Sequence, residues 1–126
     1  MSAPTKTTTA VLGTHGSFAS VAHGGTAVNS TSFDMRTFFG ACFAWWVTNG
    51  TSPTVAVTIQ PQVSENNTDW ANDGGAFVVP LTSTATFSGT YVAPNDALYA
   101  RLQFVNADTS VDATATAYAQ ATTTIA

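Results

Sequence analysis

The sequence predicts an all-β protein: an antiparallel β-sandwich of about eight strands, in one domain spanning residues 1–126. Three observations lead there. Apolar and polar residues alternate with a period of two through several runs, as they do when successive side chains point to opposite faces of a sheet. Clusters of Gly, Pro, Asn and Asp break those runs at intervals suited to a sandwich or barrel. The chain is rich in Thr and Val, whose β-branching suits a pleated surface better than a helix, and no stretch shows an amphipathic helical pattern.

The elements follow in chain order. The Thr-rich termini, "TKTTTA" and "ATTTIA", place residues 1–10 and 121–126 as arms, either flexible or docked as edge strands on a neighbour. "SFASVAHGGTAV" and "STSFDMR" are two shorter strands. "FFGACFAWWV" is a strand with two apolar faces, Phe39, Ala41, Phe43, Trp45 and Val47 on one and Phe38, Gly40, Cys42, Ala44 and Trp46 on the other. It is too short to span a membrane, which takes about 20 apolar residues as a helix. "NGTSP" turns the chain into "TVAVTIQPQV", with Val55, Val57 and Ile59 inward and a stop or bulge expected at Pro61, which lacks a ladder donor. "AFVVPLT" and "TATFSGTYV" come next, set off by "NDGG" and "APND". "ALYARLQFVN" points Leu98, Ala100, Leu102 and Phe104 inward, and Tyr99, Arg101, Gln103 and Val105 outward. After "NADTS", the run "SVDATATAYAQA" points Val111, Ala113, Ala115, Ala117 and Ala119 inward. Ala favours helix intrinsically, but strict alternation with Thr argues for a strand whose small residues let two sheets approach closely.

Composition excludes several classes of function. Charged residues make up 8% of the chain, against roughly 25% in an average soluble domain. Only Lys6, Arg36 and Arg101 are basic, and the net charge is -4. A nucleic-acid binder needs clustered cations to displace counterions from phosphates, and an anionic membrane surface asks for the same, so neither partner is expected. The single cysteine, Cys42, allows no internal disulfide and reads as a small buried hydrophobe. The start "MSAPTKTTTA" has no apolar core of a secretory signal.

Catalytic and metal chemistry find little purchase. His15 and His23 sit in a Gly-rich segment without a cysteine pair, which is no zinc pattern. "TDWANDGG" offers Asp69, Asn72 and Asp73 but lacks the alternate ligands and closing Glu of a calcium loop, so it reads as a turn. Glu65 and Asp69 are near in sequence but lie in a polar loop, with nothing to raise a carboxyl pKa. No nucleophile elbow or phosphate loop is present. The chain is read as no enzyme, with no metal and no cofactor.

The layout "VAVTIQPQVSENNTDWANDGG … APNDALYARLQFVNADTSVDATATAYA" carries a resemblance. A strand ends in a Ser-x-Asn-x-x-x-Trp loop (Ser64, Asn66, Trp70), and a later strand "YARLQFVN" turns into a final alternating strand. Over residues 53–120 this resembles small jelly-roll structural proteins of tailed-phage virions, of the capsid decoration or cement type. More distantly it resembles discoidin-like β-sandwiches, whose loop often reads Ser-x-Asp-Gly-x-x-Trp where this chain has Asn66-Asn67. The resemblance implies a jelly-roll-like sandwich and a virion protein assembled in the host cytoplasm. Its partners would be the major capsid protein or another virion protein, and copies of itself in a homo-oligomer such as a trimer.

On this reading the interface residues are Phe38 and Trp46, on the second apolar face, with Tyr99 and Arg101, since Arg and aromatic residues are enriched in binding hot spots. A solvated Arg101 is the plainer alternative. The rival function is a phage tail or receptor-binding module contacting host glycans. There Trp70 and Tyr91, on loops beside Asp69 and Asp73, would stack on sugar. A secreted carbohydrate-binding or adhesin domain is a further rival.

Overall fold

Alternation of inward and outward side chains builds two antiparallel sheets that close over one core. The computed structural model describes residues 5–38 and 40–124. Its strands are β1 (Thr5–Leu12), β2 (Ala19–Val21), β3 (Val28–Asn29), β4 (Phe33–Asp34), β5 (Ala41–Thr48), β6 (Val57–Ser64), β7 (Ala71–Asn72), β8 (Phe77–Val78), β9 (Thr86–Val92), β10 (Tyr99–Asn106) and β11 (Ala113–Thr124). The first sheet runs β1-β11-β5-β9, with β2 also on β11. The second runs β3-β10-β6-β7, with β4 also on β10 and β8 also on β6. The chain passes repeatedly from one sheet to the other, as in a jelly roll.

The expected number of about eight strands reappears as rows. β1 and β2 lie end to end along β11, β3 and β4 along β10, and β7 and β8 along β6. Each pair is one row interrupted by a short excursion, so each sheet has four rows. Between β1 and β2 the excursion starts at Gly13, at φ +54°, where a Cβ would stand 2.8 Å from Ala19 N and 2.9 Å from Ser17 O. Only glycine fits so tight a departure. Between β3 and β4, Ser30 stands in for the ladder: its N–H donates to Leu102 O, and its Oγ accepts from Leu102 N.

The core lies where the alternation put it. Phe43, Val47, Ile59, Leu102, Phe104 and the alanines of β11 are buried. Fully burying one such large side chain contributes roughly 1.5–3 kcal/mol. The alanine row Ala113–Ala121 gives the bulkier Trp45, Leu102 and Phe104 room between the sheets.

Four expectations need correction. β6 does not stop at Pro61, which sits mid-strand opposite Leu102. Leu102 turns both its backbone groups toward Ser30, so the facing Pro61 also turns away from β10, toward the gap between β8 and β7. There its missing N–H breaks no bond, and its carbonyl accepts from Asp73 N. Second, Val55 and Leu98 precede their strands and are exposed rather than inward. Third, the N-terminal segment is not free over its described part: β1 pairs with β11 of the same chain. β11 itself continues through residues 121–124, whereas 1–4 and 125–126 lie outside the described residues, as does Phe39.

Fourth, Phe38 does not share a face with Trp46. β5 begins only at Ala41, after Gly40 at φ +138°, so the alternation does not reach back to Phe38. Phe38 instead stacks on Phe33 at 5.0 Å and packs against the core.

One end of the sandwich is closed by a buried polar knot that turn composition did not reveal. Asn106 Nδ2 donates to Val21 O and Val111 O, and its Oδ1 accepts from Asp108 N. The Asp108 carboxylate accepts from Ser110 N and Val111 N on one oxygen, and from Thr54 N, Thr54 Oγ1 and Val55 N on the other. Those backbone donors, led by Ser110 and Thr54, hold its pKa well below the usual carboxylate range. Three loops thus share two side chains.

Candidate functional site

The loop after β6 helps to build a concave surface. Ser64 Oγ accepts from the N–H groups of Asn66 and Asn67, at 3.2 and 2.9 Å. Asn66 Oδ1 accepts from Thr68 N and Asp69 N, and its Nδ2 donates to Asp69 Oδ2 at 2.8 Å. Asn67 takes φ 62°. It stands where the resembling pattern has Gly, and Asn is the residue that best tolerates that left-handed position after Gly. The loop is therefore folded on its own side chains before any ligand arrives.

Trp70 leaves that loop with one ring face already covered. The Arg101 guanidinium lies 4.2 Å from the ring centroid, in cation–π contact. Arg101 Nε donates to Gln62 Oε1 at 2.8 Å, and Gln62 Nε2 donates to Asn72 Oδ1 at 3.0 Å. Partial burial lowers the Arg101 pKa from its ordinary value. The indole is thus held by a relay across β10, β6 and β7. Beside it opens a cleft of about 460 Å³, lined by Glu65, Asn66, Asp69, Trp70, Asp96 and Leu98 among others. Arg101 does not line it, so the indole offers the cleft a part of its surface that Arg101 leaves uncovered.

The glycan candidates divide. Asp69 and Trp70 meet at this cleft. Tyr91 does not lie on a loop: it is an inward residue of β9, buried and packed near Phe43. Its hydroxyl bonds to the Asp73 carboxylate, tying the two sheets together. Burial first, and then that bond, raise the tyrosine pKa far above its ordinary value. Tyr91 and Asp73 are a structural pair and offer no stacking surface. Sequence alone could not separate them from Trp70, because the alternation of β9 was read without knowing which parity faced in. Asp96, which the sequence reading did not single out, and Leu98, which it placed inward, join the cleft from the loop before β10.

The interface candidates fall on opposite sides of the molecule. Tyr99 and Arg101 face out from the second sheet. Arg36 sits 5.1 Å over the Tyr99 ring and makes a two-point pair with Asp34, at 3.0 and 2.7 Å. That pair holds the Asp34 pKa down to about 2. Trp46 faces out from the first sheet, where Tyr118 and His15 cover it. His15 stacks on Tyr118 at 4.7 Å and meets Trp46 edge-on at 4.5 Å, and His15 N donates to Tyr118 Oη at 2.9 Å. The excursion that starts at Gly13 carries His15 there. The cover of Trp46 is therefore supplied by this chain.

His23 pairs with Asp112 at 2.6 Å, apart from His15. Among the described residues no group of three His, Cys, Asp or Glu side chains is placed to hold a metal, and no helix is long and apolar enough to cross a membrane. Cys42 is half-buried on the outer face of β5, not in the core.

No protein-family model and no curated protein sequence matches this chain. Solved structures do. A chain of the disulfide-linked pili that form Bacillus endospore appendages aligns at TM-score 0.59 and 11% identity, over 98% of this chain and 93% of that one. A chain in the structure of infectious bursal disease virus, Gx strain, aligns at TM-score 0.62 and 11% identity, over 94% of this chain. In the T13 particle of that virus a chain aligns at TM-score 0.56 and 9% identity. This protein spans about a third of the length of those viral chains, at 32% and 31%. At such identities the likeness shows the fold: an antiparallel sandwich of the kind found in viral particles and pili.

Proposed function

We propose that this protein is a non-enzymatic structural subunit, which acts by assembling with copies of itself and with other proteins of a particle surface. The observation that carries the reading is the breadth of the likeness to the pilus chain, 98% of one chain against 93% of the other. The likeness runs over nearly the whole of a chain that itself assembles into pili, which supports a subunit that works by assembly. The chain's own chemistry agrees. The Asp34–Arg36 ion pair and the His23–Asp112 hydrogen bond lie on the surface as isolated couples. Its buried carboxylate, Asp108, is saturated by donors that hold loops together.

The specific form of the proposal is a phage capsid decoration protein that sits in the virion and clamps neighbouring capsomers. Area burial and edge-strand pairing would supply the binding energy. Particles carrying the protein should withstand heat and osmotic shock better than particles lacking it, and the protein should purify with heads in many copies. Equal survival of both particles, together with absence of the protein from purified heads, overturns this.

A second reading has one observation in its favour: the cleft beside Trp70. An indole held by Arg101 and rimmed by Asp69, Asn66 and Asp96 has the elements of a sugar site, an apolar face flanked by hydrogen-bonding groups. That would suit a tail or receptor-binding module. Glycan-array binding that Trp70→Ala abolishes supports it, whereas no binding by the intact protein rejects it.

A further inference from the structure

The outer strand of the first sheet carries a second kind of information. β9 pairs with β5 on one side, and among the described residues no strand pairs with its other side. The ladder tells which backbone groups face out. Asn49 N donates to Ala85 O and Ala93 N donates to Ala41 O, so the odd-numbered positions of this row turn their N–H and C=O groups toward β5. Thr86, Ser88, Thr90 and Val92 therefore turn theirs away from the sheet. All four residues are exposed, Val92 at 73%.

Open edges invite another strand, and proteins blunt them with charge, proline, bulges or brevity. The other outer rows here are blunted. β1 carries Lys6, and its register shifts twice, between Thr5 and Lys6 and between Ala10 and Leu12. The outer rows of the second sheet are broken into strands of 2 residues each. β9 has none of these defences. It runs 7 residues as TFSGTYV, uncharged and without proline, in unbroken register.

We infer that β9 is a self-association edge, pairing antiparallel with β9 of a second copy about a two-fold axis through Gly89. The parity of the strand fits this arrangement. With Gly89 opposite Gly89, the outward-bonding residues meet each other: Thr86 faces the second copy's Val92, and Ser88 faces its Thr90. Each such pair exchanges both backbone hydrogen bonds. The side chains match as well. On the outer face, Ser88 meets a Thr hydroxyl and Thr86 meets Val92, a β-branched pair. On the inner face, Phe87 meets Tyr91, an aromatic pair. Cross-strand couples of these kinds stabilise sheets, and no like charges oppose. The contact is isologous, so it closes on itself and joins the two four-row sheets into one.

This inference deepens the assembly reading, on which it rests for the identity of the partner, and its test separates the two. Sedimentation equilibrium of the full chain over a wide range of concentration should show a dimer. Ser88→Pro removes an N–H that points away from β5, so it should keep the fold. It should also weaken the dimer by about tenfold or more, since proline is tolerated at such an edge but cannot pair there. Thr90→Lys should do the same by charge, and it decides the matter if the proline variant fails to fold. Thr8→Lys, on the blunted β1 edge, should leave the dimer intact. A wild-type chain that stays monomeric throughout overturns the β9 assignment, while particle association, measured separately, still judges the assembly reading. A wild-type oligomer that survives both edge variants overturns the assignment and leaves self-assembly standing.

Discussion

Gly89→Ala is the sharpest probe of how the first sheet packs. Gly89 faces Trp45 across the β5–β9 ladder, and the indole lies over it. A Cβ built there would stand 2.4 Å from Trp45 Cζ2 and 2.7 Å from Cε2. Carbon atoms prefer about 3.5–4.0 Å, so ring or strand must move by more than about 1 Å. The ring has little freedom to do so, because Trp45 is buried and packs against Phe77 at 5.8 Å. Overpacking of this kind costs about 1–3 kcal/mol. Replacing Gly by Ala also restricts the unfolded chain, which stabilises by about 0.4–1 kcal/mol where the backbone is compatible. The net expectation is a loss of about 1–2 kcal/mol.

The sign should reverse when the ring is removed. Trp45→Leu deletes the contacting atoms. Trp45 Nε1 has no hydrogen-bond partner, so the substitution breaks no hydrogen bond. In that background Gly89→Ala should be neutral or stabilising. Urea unfolding of all four proteins of the cycle measures the coupling, expected at about 2 kcal/mol. Gly89→Ala without cost in the wild type, or the same cost in both backgrounds, refutes the packing described.

Other expectations follow from the same contacts. Phe43→Ala should cost about 3–5 kcal/mol in urea unfolding, because the ring is wholly buried between the sheets; a loss below about 1 kcal/mol would place it at the surface. Asn106→Ala should cost about 2 kcal/mol or more, since it takes a donor from the carbonyls of Val21, which is buried, and of Val111, which is half-buried. Asp108, with its folded pKa depressed, stabilises fully above the unfolded carboxylate value of about 3.9 and loses that contribution as pH falls through the folded value. The urea midpoint should therefore fall steeply below about pH 4. Asp108→Asn should lower the midpoint at neutral pH and flatten the acid limb, and a wild-type midpoint unchanged down to pH 3 counts against the knot.

The long rows were legible because their signal is local. β5, β10 and β11 each alternate with a fixed parity, and burial of Phe43, Leu102 and Ala117 follows from parity alone. The outer rows were less legible because they are short and interrupted, and what holds Ser30 or Gly13 in place is a backbone group far off in sequence. The same limit divided the site residues. Trp70 could be proposed from a loop of polar residues, but its partner Arg101 belongs to another strand. Tyr91 looked like a loop residue because an isolated aromatic near "APND" carries no sign of which face it takes. Phe38 was assigned to the wrong side because the strand was extended backwards through Gly40, where the backbone leaves it.

The low charge of the chain bears on how its edges behave. Each of its three basic side chains has a definite place. Arg36 is held by Asp34, Arg101 covers Trp70, and Lys6 alone stands on an outer strand. With so few charges, this fold cannot protect its edges by the usual means and relies on interruption instead: Gly13 and Ser17 break one row, Ser30 another, and the "NDGG" turn a third. Interruption leaves the outer rows of the second sheet as strands of 2 residues, too short to pair with a stranger, while β1 keeps its length but is irregular, with two register shifts. β9 is the row where neither device is used, and a β-rich chain left with one such edge either aggregates through it or assembles through it. The pairing about Gly89 distinguishes these outcomes, because a two-fold contact consumes the edge and stops. Insoluble, open-ended growth of the pure protein, cured by Ser88→Pro, would place β9 among the hazards of the fold. A soluble dimer cured of association by the same change would place it among its functions.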